Sequence, residues 1–166
     1  MSTDDNLKEA FSGESRANRM YTAFSEKAEE EGLPNIARLF RAAADAETVH
    51  ALSHFRALGG VKDTAENLET AVAGEAEGFM EMYPAFVSEA EKESRARALH
   101  VFKGAMAVEK IHHSLYTEAL NAAREGKDLP SKRIFVCQVC GNTVYDNPPE
   151  KCPVCGVPAS RFREID

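Results

Sequence analysis

The sequence of 166 residues predicts a mainly α-helical protein, with a four-helix bundle over residues 1–126, a linker over 127–133 and a small cysteine-rich domain over 134–166. Three observations predict this organisation. Apolar residues recur at helical spacing in four segments of the first part. Five of the seven prolines and all four cysteines lie beyond residue 129. The last segment begins with the β-forming residues Ile134, Phe135 and Val136.

Composition excludes several classes of protein. Apolar residues make up 43% and charged residues 28%, which is typical of a globular protein, and the net charge is −7. This charge argues against a nucleic-acid partner. No stretch approaches the roughly 18 apolar residues of a membrane span, so we expect no membrane partner. The polar, acidic start of the chain does not resemble a signal peptide, and we expect a cytoplasmic protein.

The breaks between the four helices are marked by glycine and proline. Gly32-Leu33-Pro34 separates the first helix from the second, and Gly59-Gly60 separates the second from the third. Thr64 is the candidate N-cap of the third helix. Pro84 must kink or end that helix, and Gly126 stops the fourth.

A glutamate interrupts the centre of each apolar stripe. The four are Glu14, Glu47, Glu75 and Glu109. Buried glutamates are costly unless they are paired or bound to metal. The midpoints between successive glutamates fall beside Gly32, beside Gly59-Gly60 and at residue 92. An up-and-down bundle would therefore bring all four to one level, with its last turn near residues 91–94.

Two histidines complete this set. His50 follows Glu47 by three residues and His112 follows Glu109 by three, so each pair shares a helix face. The His50–His112 spacing of 62 residues matches that of their glutamates. Four glutamates and two histidines form the di-iron or di-manganese set of helix bundles.

The cysteines form two Cys-x-x-Cys pairs, each followed by glycine. They are Cys137, Cys140, Cys152 and Cys155. Since we expect no export signal, this pattern favours a metal knuckle over disulfides. The spacing alone is compatible with a single iron or with structural zinc.

At this point the chain resembles the rubrerythrins over nearly its whole length. The matching segments are Gly13-Glu14-Ser15, Glu47-Thr48-Val49-His50, Ala73-Gly74-Glu75, Met82-Tyr83-Pro84, Glu109-Lys110-Ile111-His112 and the two cysteine knuckles. The resemblance implies a ferritin-like four-helix domain followed by a rubredoxin-like domain.

The resemblance also implies an activity. It is that of an NAD(P)H-linked non-haem di-iron peroxidase that reduces hydrogen peroxide to water in oxidative-stress defence. Electrons would come from a reductase or a rubredoxin-type donor through the iron of the four-cysteine site, for which zinc is an alternative occupant. Two irons would form a carboxylate-bridged pair on Glu14, Glu47, His50, Glu75, Glu109 and His112. Tyr21 and Tyr83 occupy positions where the family's tyrosines hydrogen-bond the ligand carboxylates.

One position departs from the family pattern. Rubrerythrins usually have a further glutamate three residues after the one that matches Glu75, and here that residue is Gly78. In an unbroken helix Glu77 and Glu81 would lie about 200° and 240° around the axis from Glu75, so neither replaces it. Gly78 favours the alternative of a ferroxidase or a dioxygen-reducing oxidase. A third interpretation is a binding module with a zinc ribbon.

The linker suggests an assembly. Fourteen residues separate His112 from Gly126, about 21 Å of helix, and the linker spans at most about 25 Å. Unless the linker folds back, the iron of the four-cysteine site would lie beyond the end of the bundle, closer to a partner subunit's di-iron site. We therefore expect a homodimer or larger oligomer, arranged head to tail.

Overall fold

A computed structural model describes residues 2–166 and confirms a mainly helical chain that ends in a small antiparallel sheet. The helices are α1 (Thr3–Glu30), α2 (Pro34–Ala57), α3 (Thr64–Glu77), α4 (Tyr83–Lys92) and α5 (Ala96–Arg124). The strands are β1 (Ile134–Cys137), β2 (Thr143–Tyr145) and β3 (Phe162–Ile165). No helix within these residues is long and apolar enough to cross a membrane.

The helix ends follow the predicted breaks, with one correction. Pro34 is the first residue of α2, and Gly32 takes a left-handed φ of 73° in the preceding turn. The N-cap of α3 is Asp63, whereas the sequence predicted Thr64. The Asp63 carboxylate accepts a hydrogen bond from the amide of Glu66 at 2.9 Å, and Thr64 is already helical.

The third predicted helix consists of α3 and α4, joined by a π-helical turn over Gly78–Met82. The amide of Tyr83 donates to the carbonyl of Gly78, five residues earlier. Pro84 falls in the first turn of α4, where its missing N–H is tolerated. The following turn contains Ser94 at a φ of 54°, which confirms the reversal predicted near residues 91–94.

The chain divides into two compact units, one extending to Lys62 and the other from Asp63 to Asp166. The first unit is the hairpin of α1 and α2. Small residues such as Ala37 and Ala44 are buried in it, and the rings of Phe11 and Phe55 stack at 4.9 Å. Asn18 is also buried there, and its Nδ2 donates to the carbonyl of Ala44 at 2.6 Å.

The second unit contains α3, α4, α5 and the sheet. Phe102 of α5 contacts Phe86 of α4, with ring centroids 5.5 Å apart. The strand order is β2-β1-β3, and both pairings are antiparallel, so that Phe135 lies opposite Val144 and Glu164. The division into domains 1–126 and 134–166 stays a prediction.

Candidate metal centres

The first unit brings Glu14 of α1 together with Glu47 and His50 of α2. Their potential ligand atoms all lie within 4.8 Å of one another. The three-residue spacing places Glu47 and His50 on one face of α2, and His50 Nδ1 lies 2.8 Å from Glu47 Oε2. The Glu47 side chain is 18% exposed and that of His50 is 56% exposed.

The second unit brings Glu75 of α3 together with Glu109 and His112 of α5. Their ligand atoms also lie within 4.8 Å of one another. His112 Nδ1 is 3.4 Å from Glu109 Oε2 and 3.8 Å from Glu75 Oε1. All three side chains are at most 27% exposed. Two carboxylates and one imidazole thus lie close enough together to bind one metal ion.

The electrostatics of the second group show that its acids are crowded. Burial, the hydrogen bond with Glu109 and the charge of Glu109 raise the pKa of Glu75 from 4.5 to about 7. Burial and the charges of Glu109 and Glu75 also raise the pKa of the Tyr83 phenol. Like charges held this close favour either a retained proton or a bound cation.

The two predicted tyrosines are placed differently. Tyr83 lies beside the second group, since the charges of Glu75 and Glu109 act on its phenol. Tyr21 is half-buried on α1, and its ring centroid is 6.3 Å from that of Phe40. The predicted contact of Tyr21 with a ligand carboxylate remains a prediction.

The six predicted ligands therefore fall into two groups of three, one in each unit. We call them the α1–α2 triad (Glu14, Glu47, His50) and the α3–α5 triad (Glu75, Glu109, His112). The 61- and 62-residue spacings of the sequence relate one triad to the other. The union of both triads in a single site stays a prediction.

Gly78 lies against the α3–α5 triad. It is buried at the start of the π-helical turn, and a Cβ at this position would lie 3.4 Å from Cγ of Glu109. A side chain at position 78 would therefore meet Glu109, a member of this triad. The sequence did not predict the π-helical turn, so the helical angle calculated for Glu81 does not apply. Glu77 and Glu81 are nevertheless both exposed and belong to neither triad.

The four cysteines converge into one cluster, with all Sγ atoms within 4.8 Å of one another. Cys137 and Cys152 are 1% and 2% exposed. The amide of Gly141 donates to the carbonyl of Cys137 at 2.9 Å, and the amide of Gly156 donates to that of Cys152 at 2.8 Å. Both glycines have positive φ, 85° and 77°, and this permits the two tight knuckles.

Burial and neighbouring hydrogen bonds shift the pKa values of the cysteine thiols. Burial alone would raise the pKa of Cys152, but hydrogen bonds from the amides of Cys155 and Val154 and from the thiols of Cys155 and Cys140 together lower that pKa to about 7. Burial raises the pKa of Cys140. Asn142 is 1% exposed and its Nδ2 lies 3.7 Å from Cys152 Sγ, a contact for which the cysteine motif gives no signal.

The cysteine cluster lies beside α5 of the same chain. His112 Nε2 is 3.0 Å from Oγ1 of Thr143, and a Cβ at Gly141 would be 3.6 Å from Val108 Cγ1. The linker therefore folds back, so the condition for placing the four-cysteine site beyond the helix end is not met. The sequence offered no signal for this contact, because Thr143 is 31 residues from His112.

The donor sets fit the metals that the sequence predicts. Carboxylate oxygens with an imidazole nitrogen suit iron or manganese, and four thiols suit a single iron or zinc. The raised pKa of Glu75 reflects its burial and the neighbouring charge of Glu109, and a cation would offset both. The lowered pKa of Cys152 favours the thiolate that binds metal.

A helical carboxylate–histidine centre combined with a four-cysteine knuckle module defines a class of two-centre non-haem iron proteins. The profile described as "Rubrerythrin" matches residues 5–120, and that described as "Rubrerythrin, rubredoxin-like domain" matches residues 135–163. The chain belongs to the rubrerythrin family. Members of this family are oxidoreductases with a di-iron carboxylate site and a rubredoxin-like site of four cysteines.

Individual relatives agree with this assignment. Rubrerythrin-2 of Clostridium acetobutylicum is 35% identical, across 97% of this chain and 95% of that protein. Nigerythrin of Nitratidesulfovibrio vulgaris is 35% identical, across 97% of this chain and 85% of that protein. The solved structure of partially reduced nigerythrin superimposes with a TM-score of 0.59 at 32% identity, covering 99% of this chain and 87% of that one.

The raised pKa of Glu75 predicts that the free energy of unfolding depends on pH when the carboxylate site is free of metal. Its pKa is raised from 4.5 to about 7, so between these values the folded protein retains a proton that the unfolded chain has lost. The free energy of unfolding should therefore fall as pH rises from about 5 to 8. Glu75→Gln should remove this part of the slope.

The measurement is urea unfolding of protein with zinc in the cysteine site, at several pH values. Glu77→Gln is the control, because Glu77 is exposed on the same helix and outside the triad. Equal slopes for wild type and Glu75→Gln would contradict the prediction.

Proposed function

We propose that this protein is a non-haem di-iron peroxidase that reduces hydrogen peroxide to water. The observation that carries the proposal is the combination, in one rubrerythrin-family chain, of two carboxylate–histidine triads with a four-cysteine cluster beside one of them. The reaction consumes one peroxide, two electrons and two protons and yields two waters. NAD(P)H would supply the electrons through a reductase or a rubredoxin-type donor.

Both triads together would hold the metal pair. Four carboxylates provide enough negative charge to neutralise two ferrous ions, and each triad adds one imidazole. When bound, such a pair supplies Lewis acidity and electrons to an oxygen substrate. The four cysteines would hold the iron that receives electrons from the donor.

Tyrosine hydroxyls of the chain would donate hydrogen bonds to the ligand carboxylates. The pKa of the Tyr83 phenol is raised, so its hydroxyl stays protonated next to Glu75 and Glu109. Tyr83 can therefore donate a hydrogen bond to a ligand carboxylate and fix its orientation. Tyr21 is the candidate for the same task at the α1–α2 triad. A reducing cytoplasm is the compartment that we propose, because it keeps the four clustered thiols available for metal.

The choice of oxidant can be tested by rapid mixing. Iron-loaded, fully reduced protein should be oxidised much faster by hydrogen peroxide than by dioxygen at the same concentration. The absorbance of the oxidised iron sites reports both reactions, and metal analysis beforehand establishes iron in both centres. Equal or reversed rates would reject the peroxidase in favour of the second candidate.

That second candidate is a ferroxidase or dioxygen-reducing oxidase, and Gly78 is the observation that favours it. A side chain at this position would contact Glu109, so Gly78 removes an oxygen donor next to the α3–α5 triad. The remaining ligands would resemble the simpler set of ferroxidases. Turnover of added ferrous iron with dioxygen would support this function.

Gly78→Glu tests the role of the missing donor. We expect it to raise the ratio of the peroxide rate to the dioxygen rate by about tenfold, the lower range for changes next to a metal ligand. Gly74→Glu is the control, because a Cβ there has no atom within 4 Å. An unchanged ratio in Gly78→Glu, with iron content intact, would show that position 78 does not set the preference.

We also propose a homodimer or larger assembly. Ile36 and Leu39 share the face of α2 that carries Glu47 and His50, and they are 47% and 69% exposed. Apolar residues around a metal site are normally covered. A further surface is thus expected to pack over this face.

Light scattering should give a mass of at least two chains. Leu39→Gln should weaken association by about tenfold or more, since burying one leucine contributes about 1.5–3 kcal/mol. Arg38→Gln is the neighbouring control on the exposed surface of α2. A monomeric mass for the wild type would reject the proposal.

A further inference from the structure

The contact between the cysteine module and α5 involves a predicted metal ligand. His112 turns Nδ1 towards Glu75 and Glu109, and its Nε2 lies 3.0 Å from Thr143 Oγ1 at the start of β2. Both residues are half-buried and belong to the same compact unit. Thr143 was not among the functional residues predicted from sequence.

The partners of Thr143 are compatible with a defined direction of these hydrogen bonds. Its hydroxyl donates its single hydrogen to the carbonyl of Gly141 at 3.2 Å. When a metal occupies the Nδ1 side of the ring, the proton is on Nε2 and the same oxygen accepts the bond from His112. With Nε2 protonated, the lone pair of the ring is on Nδ1, the nitrogen that faces the two carboxylates. This is the tautomer that a metal bound among these three residues requires.

The cysteine module and α5 also approach each other beside this hydrogen bond. A groove beside His112 is lined by Leu115 and Tyr116 of α5 and by Ile134 and Tyr145 of the sheet. A second close approach lies nearby, since a Cβ at Gly141 would be 3.6 Å from Val108 Cγ1. His50 differs from His112, since more than half of its side chain is exposed. The imidazole of the α3–α5 triad thus has a hydrogen-bonding partner in the cysteine module, whereas the imidazole of the α1–α2 triad is mostly exposed.

We propose that Thr143 is a positioning residue, which fixes His112 as an Nδ1 metal ligand and thereby connects the cysteine module to the carboxylate site. Gly141, which accepts the hydrogen bond from Thr143, is covalently joined to Cys140. A continuous path of one covalent link and two hydrogen bonds then runs from a ligand of the four-cysteine site to a ligand of the helical site in the same chain. This inference rests on the proposed metal site and not on the choice of oxidant.

Three variants test the role of the hydroxyl. Thr143→Val removes it at nearly constant shape, and Thr143→Ser retains it. Thr117→Val is the matched control, because the Thr117 hydroxyl donates to the carbonyl of His113 on the same helix. Thermal unfolding of each full-length, zinc-loaded variant establishes that it folds.

The first readout is metal affinity. Full-length protein with zinc in the cysteine site is titrated with Co²⁺ in competition with a chelator. Thr143→Val should bind Co²⁺ about 10- to 100-fold more weakly, as is typical for loss of a hydrogen bond to a ligand histidine. Thr143→Ser and Thr117→Val should match the wild type. Wild-type affinity in Thr143→Val would overturn the proposal, as would equal losses in the valine and serine variants.

The second readout is the imidazole itself. In protein loaded with zinc at both centres, nitrogen NMR should show His112 bound through Nδ1, with an Nε2 proton that exchanges slowly with water. The slow exchange should persist in Thr143→Ser and disappear in Thr143→Val. Metal bound through Nε2 in the wild type would contradict the proposed tautomer. Neither readout depends on peroxide or dioxygen, so failure here is distinguishable from failure of the peroxidase assignment.

Discussion

Repulsion between neighbouring carboxylates is the constraint that organises this protein. Glu75 and Glu109 come together between α3 and α5, where burial and mutual charge raise the pKa of Glu75 to about 7. Such a pair is stable only with a shared proton or a cation. An imidazole three residues after a glutamate supplies a neutral nitrogen ligand without adding further negative charge. The α3–α5 triad is therefore suited to hold a proton or a cation.

The two kinds of metal centre depend on the fold to different degrees. The four cysteines span only residues 137 to 155, and glycines at positive φ shape each knuckle locally. Amides of Cys155 and Val154 stabilise the Cys152 thiolate within that short segment. Each triad, in contrast, takes its ligands from two helices. It forms only when these helices pack in the correct register.

The position of the cysteine module gives the two triads different surroundings. His112 is held on one side by carboxylates and on the other by Thr143, whereas His50 remains more exposed. Gly78 adds to this difference, since it leaves space beside Glu109. Family membership establishes a di-iron oxidoreductase scaffold. Within that scaffold, the surroundings of His112 and Gly78 are local features that can change the reactivity of the α3–α5 triad.

The sequence by itself determined the ligand types and the helical organisation, because these are expressed in short-range periodicity. A glutamate and a histidine three residues apart must share a helix face, and Cys-x-x-Cys-Gly encodes its own turn. Other features required the tertiary structure. The π-helical turn at Gly78 interrupts the regular helical period, and the contact between Thr143 and His112 joins residues 31 positions apart through a linker that folds back. Contacts between distant segments leave no periodic signal, so only the folded chain decided which nitrogen of His112 faces the acids.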